Sequence, residues 1–336
     1  MKEAIVHPGP TVTITDSPIP KANDDQLVIK VIVSGSNPKD WKLPEWLDKT
    51  GNSGDDIAGI VHEVGKNVYE FKPGDRVMAF HEMVTPGGSY AEYAVAYQHT
   101  TAHLPAHTSF EEAAAIPLAA LTAAVGLFRH LALPQPWGAP TPATKPTPLV
   151  IYGAASAVGI YVVQLAARAG IHPLICVAGN SQDYVKGFLD ESKGDAVIDY
   201  RAGDEAVVKG IKEAAKGAEL LYAYDAVSEK GSDANLTKAL SPGAVFTTVL
   251  PTKSEENQPE GITVKRTMVG SVHAEDNDLG YVYMRYFAKG LQEGWFKGQR
   301  QEVVPGGLGG VQTGLANLKA GKANAVKYVF RIEDTK

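Results

Sequence analysis

Residues 148–170, PLVIYGAASAVGIYVVQLAARAG, decide the fold. Leu149 to Tyr152 form an apolar run that reads as a buried strand, and the alanine-rich segment from Ile160 onward reads as a helix. Between them lies Gly153-Ala154-Ala155-Ser156-Ala157-Val158-Gly159, a turn of small residues. Small side chains let a backbone approach a pyrophosphate closely, and a helix start offers unpaired N–H groups and a positive dipole end. The turn lacks the full G-x-G-x-x-G pattern, and a ligand-free turn would use the same small residues, so its meaning rests on its surroundings.

Downstream the pattern alternates. HPLICVAG (172–179) reads as a strand, QDYVKGFLDESKG (182–194) as a helix, and DAVIDY (195–200) as a strand. A helix around 204–216, LLYAYDAV (220–227), a helix around 232–240, AVFTTVL (244–250) and VKRTMVGSV (264–272) continue the series. Such alternation means βαβ units and a parallel sheet covered on both faces, which makes the small-residue turn a dinucleotide cradle. Upstream, residues 1 to about 100 are short β-type runs cut by turn residues, such as QLVIKVIVSG, GIVHEVG, DRVMAF and YAEYAVA. SFEEAAAIPLAALTAAVGLFRHLAL (109–133) reads as helix, broken or restarted at Pro117. Residues 134–148 carry six prolines and read as a loop.

A chain of 336 residues exceeds one comfortable hydrophobic core, so two domains are expected. A net charge of −6 without a basic stripe argues against nucleic acid or an anionic membrane as partner. The one cysteine, Cys176, excludes an internal disulfide framework and fits a reducing cytoplasm. No apolar leader and no run of about 18 apolar residues is present, so neither a signal peptide nor a membrane span is expected.

An NAD-binding unit offers an acid to the ribose hydroxyls roughly 20 residues past its glycine turn. Here that corner is Ala178, Gly179, Asn180 and Ser181, uncharged and hydrogen-bonding, which tolerates a 2′-phosphate and points to NADPH. Asp183 lies close enough to weaken the argument if the strand ends late. Lys186 and Tyr200 are candidate phosphate partners, although an exposed lysine is commonly only solvated.

SGSNPKDWK, DIAGIVHEVGKNVYEFKPGDRVMAF, GGSYAEYAV, EEAAAIPLAALTA, GAASAVG and LKAGKANAVKYVFRI occur in the order typical of the medium-chain dehydrogenase/reductase superfamily, and the resemblance covers essentially the whole chain. It is similar to the quinone oxidoreductase and enoyl reductase branch that lacks zinc. The proline-rich loop and VVPGGLGGVQTGL resemble the fungal trans-acting enoyl reductases that partner polyketide synthases, the ToxD-like proteins among them. The resemblance implies an α/β chain with a Rossmann NADP-binding domain (122–273) inserted in a GroES-like β-barrel catalytic domain (1–121, completed by 274–336), substrate and nicotinamide meeting between them. It also implies site residues. The turn Asn37, Pro38, Lys39, Asp40 and Trp41 lies beside the nicotinamide, and Thr122 faces the same pocket. Ala155, Ser156, Ala157, Val158 and Gly159 form the pyrophosphate turn. Ala178 to Ser181 and Tyr200 meet the adenosine phosphate, Leu250 and Pro251 the nicotinamide ribose, and Val304 and Pro305 close the far side. Ser156 replaces the middle glycine of the usual turn, and its hydroxyl can donate to phosphate in compensation.

GNSGDDIAGIVHEVG (51–65) gathers Asp55, Asp56, His62 and Glu63 as a metal site would. By the resemblance, zinc-dependent members place Cys where this chain has Asn37 and His-Glu where it has Asp55-Asp56, and carry a four-cysteine lobe that is missing here, so no metal is expected. Independently, a strand over 57–64 sends His62 and Glu63 to opposite faces, and mixed-sign residues on a solvated barrel edge are the plainer reading. His99, His103 and His107 fall in a proline-bearing stretch that reads as loop rather than zinc helix.

Without a Lewis acid for an alkoxide, the expected reaction is hydride addition to the β-carbon of an enone or enoyl thioester, or to a quinone, with enolate charge stabilised by positioning and hydrogen bonds. Asn37 and Thr122 are the pocket candidates. Asp40 and Lys42 are candidates for orientation, with a turn cap and a solvated lysine as the alternatives. Tyr281, Tyr283 and Tyr286 read as helix packing, with pocket lining as the alternative. Three functions stay open: an enoyl reductase, its substrate delivered by a carrier protein in one version; a quinone reductase; and an NADPH-binding protein without turnover. Monomer and homodimer are both open.

Overall fold

The computed structural model describes residues 1–138 and 147–336; most of the proline-rich stretch expected as a loop over 134–148 lies outside the described residues. Two units are formed, residues 1–121 with 270–336, and residues 122–269.

The first unit opens with a hairpin, β1 (Lys2–His7) and β2 (Thr11–Asp16). Next come β3 (Gln26–Gly35), α1 (Lys39–Leu47), β4 (Asp56–Val64), β5 (Arg76–Phe80), β6 (Tyr93–Tyr97) and β7 (Thr101–His103). Two helices follow, α2 (Phe110–Ala114), with Ser109 Oγ accepting the Glu112 N–H at 3.1 Å, and α3 (Pro117–Ala124). Pro117 restarts the helix at its first position, where a missing N–H costs nothing.

The second unit alternates β8 (Leu149–Tyr152), α4 (Ala157–Arg168), β9 (Leu174–Ala178), α5 (Gln182–Lys186), β10 (Ala196–Asp199), α6 (Asp204–Ala214), β11 (Tyr222–Asp225), α7 (Ser232–Ala239), β12 (Val245–Thr248), α8 (Lys253–Glu256) and β13 (Thr263–Arg266). Its six strands are parallel in the order β10-β9-β8-β11-β12-β13. The order reverses between β8 and β11, which puts a crevice at the carboxyl ends of those strands. The helix expected over 182–194 stops at Lys186: Gly187 follows, and the Asp190 carboxylate captures the Ser192 N–H at 3.1 Å, a local bond that competes with helix.

The chain re-enters the first unit through α9 (Asn277–Glu293), β14 (Gln301–Val303), α10 (Val311–Lys319) and β15 (Lys327–Arg331). The resulting sheet runs β14-β15-β3-β4-β5-β7, with β6 also on β3. Alternate residues Leu27, Ile29 and Val31 of β3 meet Ile57, Val61, Val77, Leu315 and Phe330 in one core. On α9, Tyr283 is buried beside Phe287 and Tyr286, while Tyr281 lines a cavity of about 550 Å³ with Tyr69, Tyr97 and His99. Arg285 ties this helix down, donating to Glu70 and to the carbonyls of Gln98, His99 and Thr101. Among the described residues no helix is long and apolar enough to cross a membrane.

Gly35 is fixed by close approach. A Cβ on Gly35, the last residue of β3, would sit 2.0 Å from the Ala114 carbonyl oxygen and 3.1 Å from Lys327 Cε. Gly35→Ala is therefore expected to cost about 2 kcal/mol or more through overpacking against backbone, read as a lower midpoint in urea or thermal unfolding; an unchanged midpoint would contradict this packing.

Candidate functional site

In the first unit, β3 ends in the turn Ser36-Asn37-Pro38 and hands the chain to α1. Asn37 is 2 % exposed, and both ends of its amide are bound: Oδ1 accepts from Lys327 Nζ at 2.7 Å, and Nδ2 donates to Asp56 Oδ2 at 2.8 Å. Lys327 Nζ also donates to Asp56 Oδ2 at 2.6 Å. The other oxygen of Asp56 accepts the Leu118 N–H at 2.7 Å, at the start of α3, on which Thr122 follows one turn later.

The same turn is held from a second side. Asp40 Oδ2 accepts the Asn37 N–H at 2.7 Å and the Tyr90 hydroxyl at 2.5 Å, so Asp40 caps the turn. Lys39 pairs with Asp40 at 3.0 Å and with Asp55, and donates to the Ser53 carbonyl. Lys39 also borders a cavity of about 360 Å³ lined by Leu43, Pro44, Leu47, Asn52 and Ser53. Burial pushes the Asp40 and Asp55 carboxyls up to about 6, with Lys39 opposing the rise in both. Burial lowers Lys39, but Asp40 and Asp55 outweigh it and hold the ammonium well above the usual lysine range.

Three readings for this region need correction. Asp55 and Asp56 are not on a solvated edge; they are 1 % and 0 % exposed, and their charges face Lys39 and Lys327. His62 and Glu63 do not alternate between faces. Val28 pairs with Glu63 and Ile29 with Val61, so His62 is the extra residue of a bulge and both side chains are exposed, His62 against the Tyr93 ring at 5.0 Å. Lys42 is buried rather than solvated, its ammonium 5.4 Å and 5.7 Å from the Trp41 and Trp46 ring centres. Trp41 packs against the core to which Val304 also belongs, whereas Pro38 and Pro305 are exposed. His99, His103 and His107 bond three separate carbonyls, of Val272, Glu70 and Leu291, and do not converge.

In the second unit, Gly153 turns at φ +75°, where a Cβ would lie 2.1 Å from Val227 Cγ2; one on Gly159 would lie 2.2 Å from the Gly153 carbonyl oxygen. These glycines let α4 start directly over the end of β8. Ser156 is the N-cap, its Oγ accepting the Gly159 N–H at 3.0 Å and donating to the Ala226 carbonyl at 3.3 Å. Its hydroxyl thus bonds protein both as acceptor and as donor. The amides of Ala157 and Val158 have no carbonyl within the helix to meet and suit an anion. Asp225, raised to about 6 by burial, gathers Val227 N–H, Ser228 N–H and Ser232 Oγ at 3.1, 2.7 and 2.6 Å and shapes the loop against this turn. Thr122 is 5 % exposed, and its carbonyl accepts the Tyr224 hydroxyl at 2.7 Å. Leu250 and Pro251 follow β12.

At the carboxyl end of β9, the Tyr200 ring lies over Gly179, where a Cβ would meet it at 2.6 Å. Asn180 accepts from Arg201, whose Nη2 meets Asp199 at 2.6 Å; this guanidinium holds the Asp199 carboxyl down at about 2. Lys186 pairs with Asp183 at 3.3 Å, both exposed. Arg201 escaped the sequence reading because a single arginine after a strand carries no pattern. The cradle of Gly153 to Gly159 with this corner fits a dinucleotide: close backbone, free first-turn amides and a cationic edge.

Residues 23–106 match the alcohol dehydrogenase GroES-like domain. The chain is 52 % identical over 309 residues to trans-enoyl reductase fsr4 of Gibberella fujikuroi, covering 91 % of each, and 34 % identical to trans-enoyl reductase resD of Aspergillus sclerotiorum, covering 97 % and 98 %. The solved CurK enoyl reductase superposes with a TM-score of 0.78 at 16 % identity over 98 % of both chains, and a Pseudomonas syringae quinone oxidoreductase with 0.75 at 22 % over 98 % and 99 %.

The raised carboxyls carry a sign. Asp40 and Asp55 bind protons more tightly folded than unfolded, so their contribution to stability is complete below about pH 4 and is lost as pH rises through about 6. Relative to Asp55→Asn, wild type is expected to lose roughly 1–3 kcal/mol of unfolding free energy between pH 4 and 7, measured by urea titration at each pH; a wild-type advantage that grows across that range would refute the assignment.

Proposed function

We infer the reaction from kinship and geometry together: the chain belongs to the trans-enoyl reductases of the medium-chain dehydrogenase/reductase superfamily, and it is an oxidoreductase acting on a C=C bond conjugated to a carbonyl. The observation that carries the reading is 52 % identity to a trans-enoyl reductase over 91 % of both chains. When bound, a reduced nicotinamide cofactor supplies a hydride equivalent to the β-carbon of such an acceptor. The chain's part is to bind, orient and stabilise enolate charge on the carbonyl oxygen.

The residue roles in this reading are proposals that the geometry supports. The turn at 155–159 binds the pyrophosphate through the Ala157 and Val158 amides, and Asn37 and Thr122 face the reacting groups. Asp40 and Lys39 fix the turn that carries Asn37, and Lys42 fixes α1 beneath its tryptophans. Leu250, Pro251, Val304 and Pro305 contribute walls. No metal takes part, because the carboxylates near Asn37 have Lys39 and Lys327 as counterions. The substrate is an enoyl thioester presented by a carrier protein, in the cytoplasm.

The cofactor is NADPH. Ala178 to Ser181 bring no carboxylate to the adenosine corner, Asp199 is matched by Arg201, and the Arg201 guanidinium beside Asn180 is the cation a 2′-phosphate would meet.

Turnover of NADPH and NADH against a short enoyl thioester, a 2-alkenal and a quinone tests the assignment. NADPH oxidation with the thioester at more than tenfold the quinone rate is expected, and tight NADPH binding without turnover of any acceptor would overturn it. Arg201→Ala should raise KM for NADPH about tenfold or more with KM for NADH within twofold; equal effects on both would remove the 2′-phosphate assignment.

A further inference from the structure

The closed triangle of Lys327, Asn37 and Asp56 does something that packing alone would not. A primary amide is nearly symmetric in shape, so van der Waals contact cannot tell its oxygen from its nitrogen. Here an ammonium, which can only donate, meets Asn37 Oδ1 at 2.7 Å, and a carboxylate that accepts meets Nδ2 at 2.8 Å. A flipped amide would set N–H against ammonium and C=O against carboxylate. The carboxylate is itself fixed, since its other oxygen takes the Leu118 N–H at 2.7 Å.

Lys327 is well anchored for this task. It opens β15, which registers against β3 through Val329 with Gly35 and Phe330 with Ser34, and Ser36 bonds the neighbouring Tyr328 carbonyl through both N–H and Oγ, at 3.0 and 2.9 Å. The strand therefore stays in place without the ammonium. What depends on it is the charge balance of Asp56 and the orientation of Asn37.

We propose that Lys327 is a positioning residue for the reduction, its ammonium acting with Asp56 to lock the Asn37 side chain in one of its two amide orientations. A buried ion pair adds little net stability over a neutral pair of similar volume, whereas breaking it by removing one partner is costly. Stability and orientation are thus separable. The proposal rests on the assignment of Asn37 to the reacting groups.

The test compares wild type, K327M, D56N and K327M/D56N with NADPH and a short enoyl thioester, reading kcat, KM and thermal midpoint. The single variants are expected to unfold earlier. The double variant, with no unmatched buried charge, should recover the midpoint to within about 3 °C of wild type yet keep kcat about 30- to 100-fold low, with KM for NADPH within threefold. A double variant whose kcat lies within threefold of wild type, or whose loss is confined to KM, overturns the proposal. If the double variant does not accumulate folded, K327R is read instead: it keeps a cation opposite Asp56 but presents a planar fork that displaces the amide, and wild-type kcat in K327R likewise overturns it. A wild type without turnover of any acceptor overturns the reaction assignment and this proposal with it; an active wild type matched by the double variant overturns this proposal alone.

Discussion

Three carboxylates and two ammonium groups, all in low dielectric, set the terms for the first unit. Asp40, Asp55 and Asp56 are essentially unexposed, and each would be costly to ionise alone. Lys39 serves Asp40 and Asp55, and Lys327 serves Asp56. Loss of solvation on burial drives Asp40 and Asp55 upward against the pull of Lys39, and a neighbouring carboxylate adds to the rise in each. Because charge must be met at short range, the surrounding backbone is pressed close. Gly35 leaves room for the Lys327 stem, and at Gly54 a Cβ would collide with the Tyr90 ring at 2.7 Å, the residue whose hydroxyl reaches Asp40. The turn between β3 and α1 is thus over-determined from three directions, by β15, by α3 and by the segment at 53–55.

What the sequence made legible is local. The ten-residue run 26–35 has the length and β-branched content of a strand, and it is one; the small-residue turn after Tyr152 sits where a strand hands over to a helix. Pro117 restarts its helix as the missing N–H requires. Two misreadings have local causes that pattern does not encode: a bulge at His62 offsets the two-residue period, and Asp190 captures an amide that a longer α5 would need. The charge network was illegible for a different reason. Asn37 and Lys327 are 290 residues apart, and nothing in AVKYVF distinguishes a lysine that will be buried from one on an edge strand. Asp55 and Asp56 did stand out, but as polar residues of a solvated edge, because a sequence shows carboxylates without showing the ammonium groups that meet them.

The second unit solves a related problem with neutral groups. A standard dinucleotide turn has a glycine where this chain has Ser156, and a glycine there would leave the Gly159 N–H to the ligand or to water. Ser156 instead takes that N–H and returns a hydrogen bond to Ala226, in the loop that Asp225 organises after β11. Gly153 closes the same joint from the other side against Val227. The turn after β8 and the loop after β11 flank the point where strand order reverses, and the serine ties one to the other. The exchange gives up one ligand-facing amide and yields a capped helix whose start is tied to its neighbour. The first-turn amides of Ala157 and Val158 are the ones left for the proposed cofactor, and a tied helix start replaces the closeness that a bare glycine would have allowed.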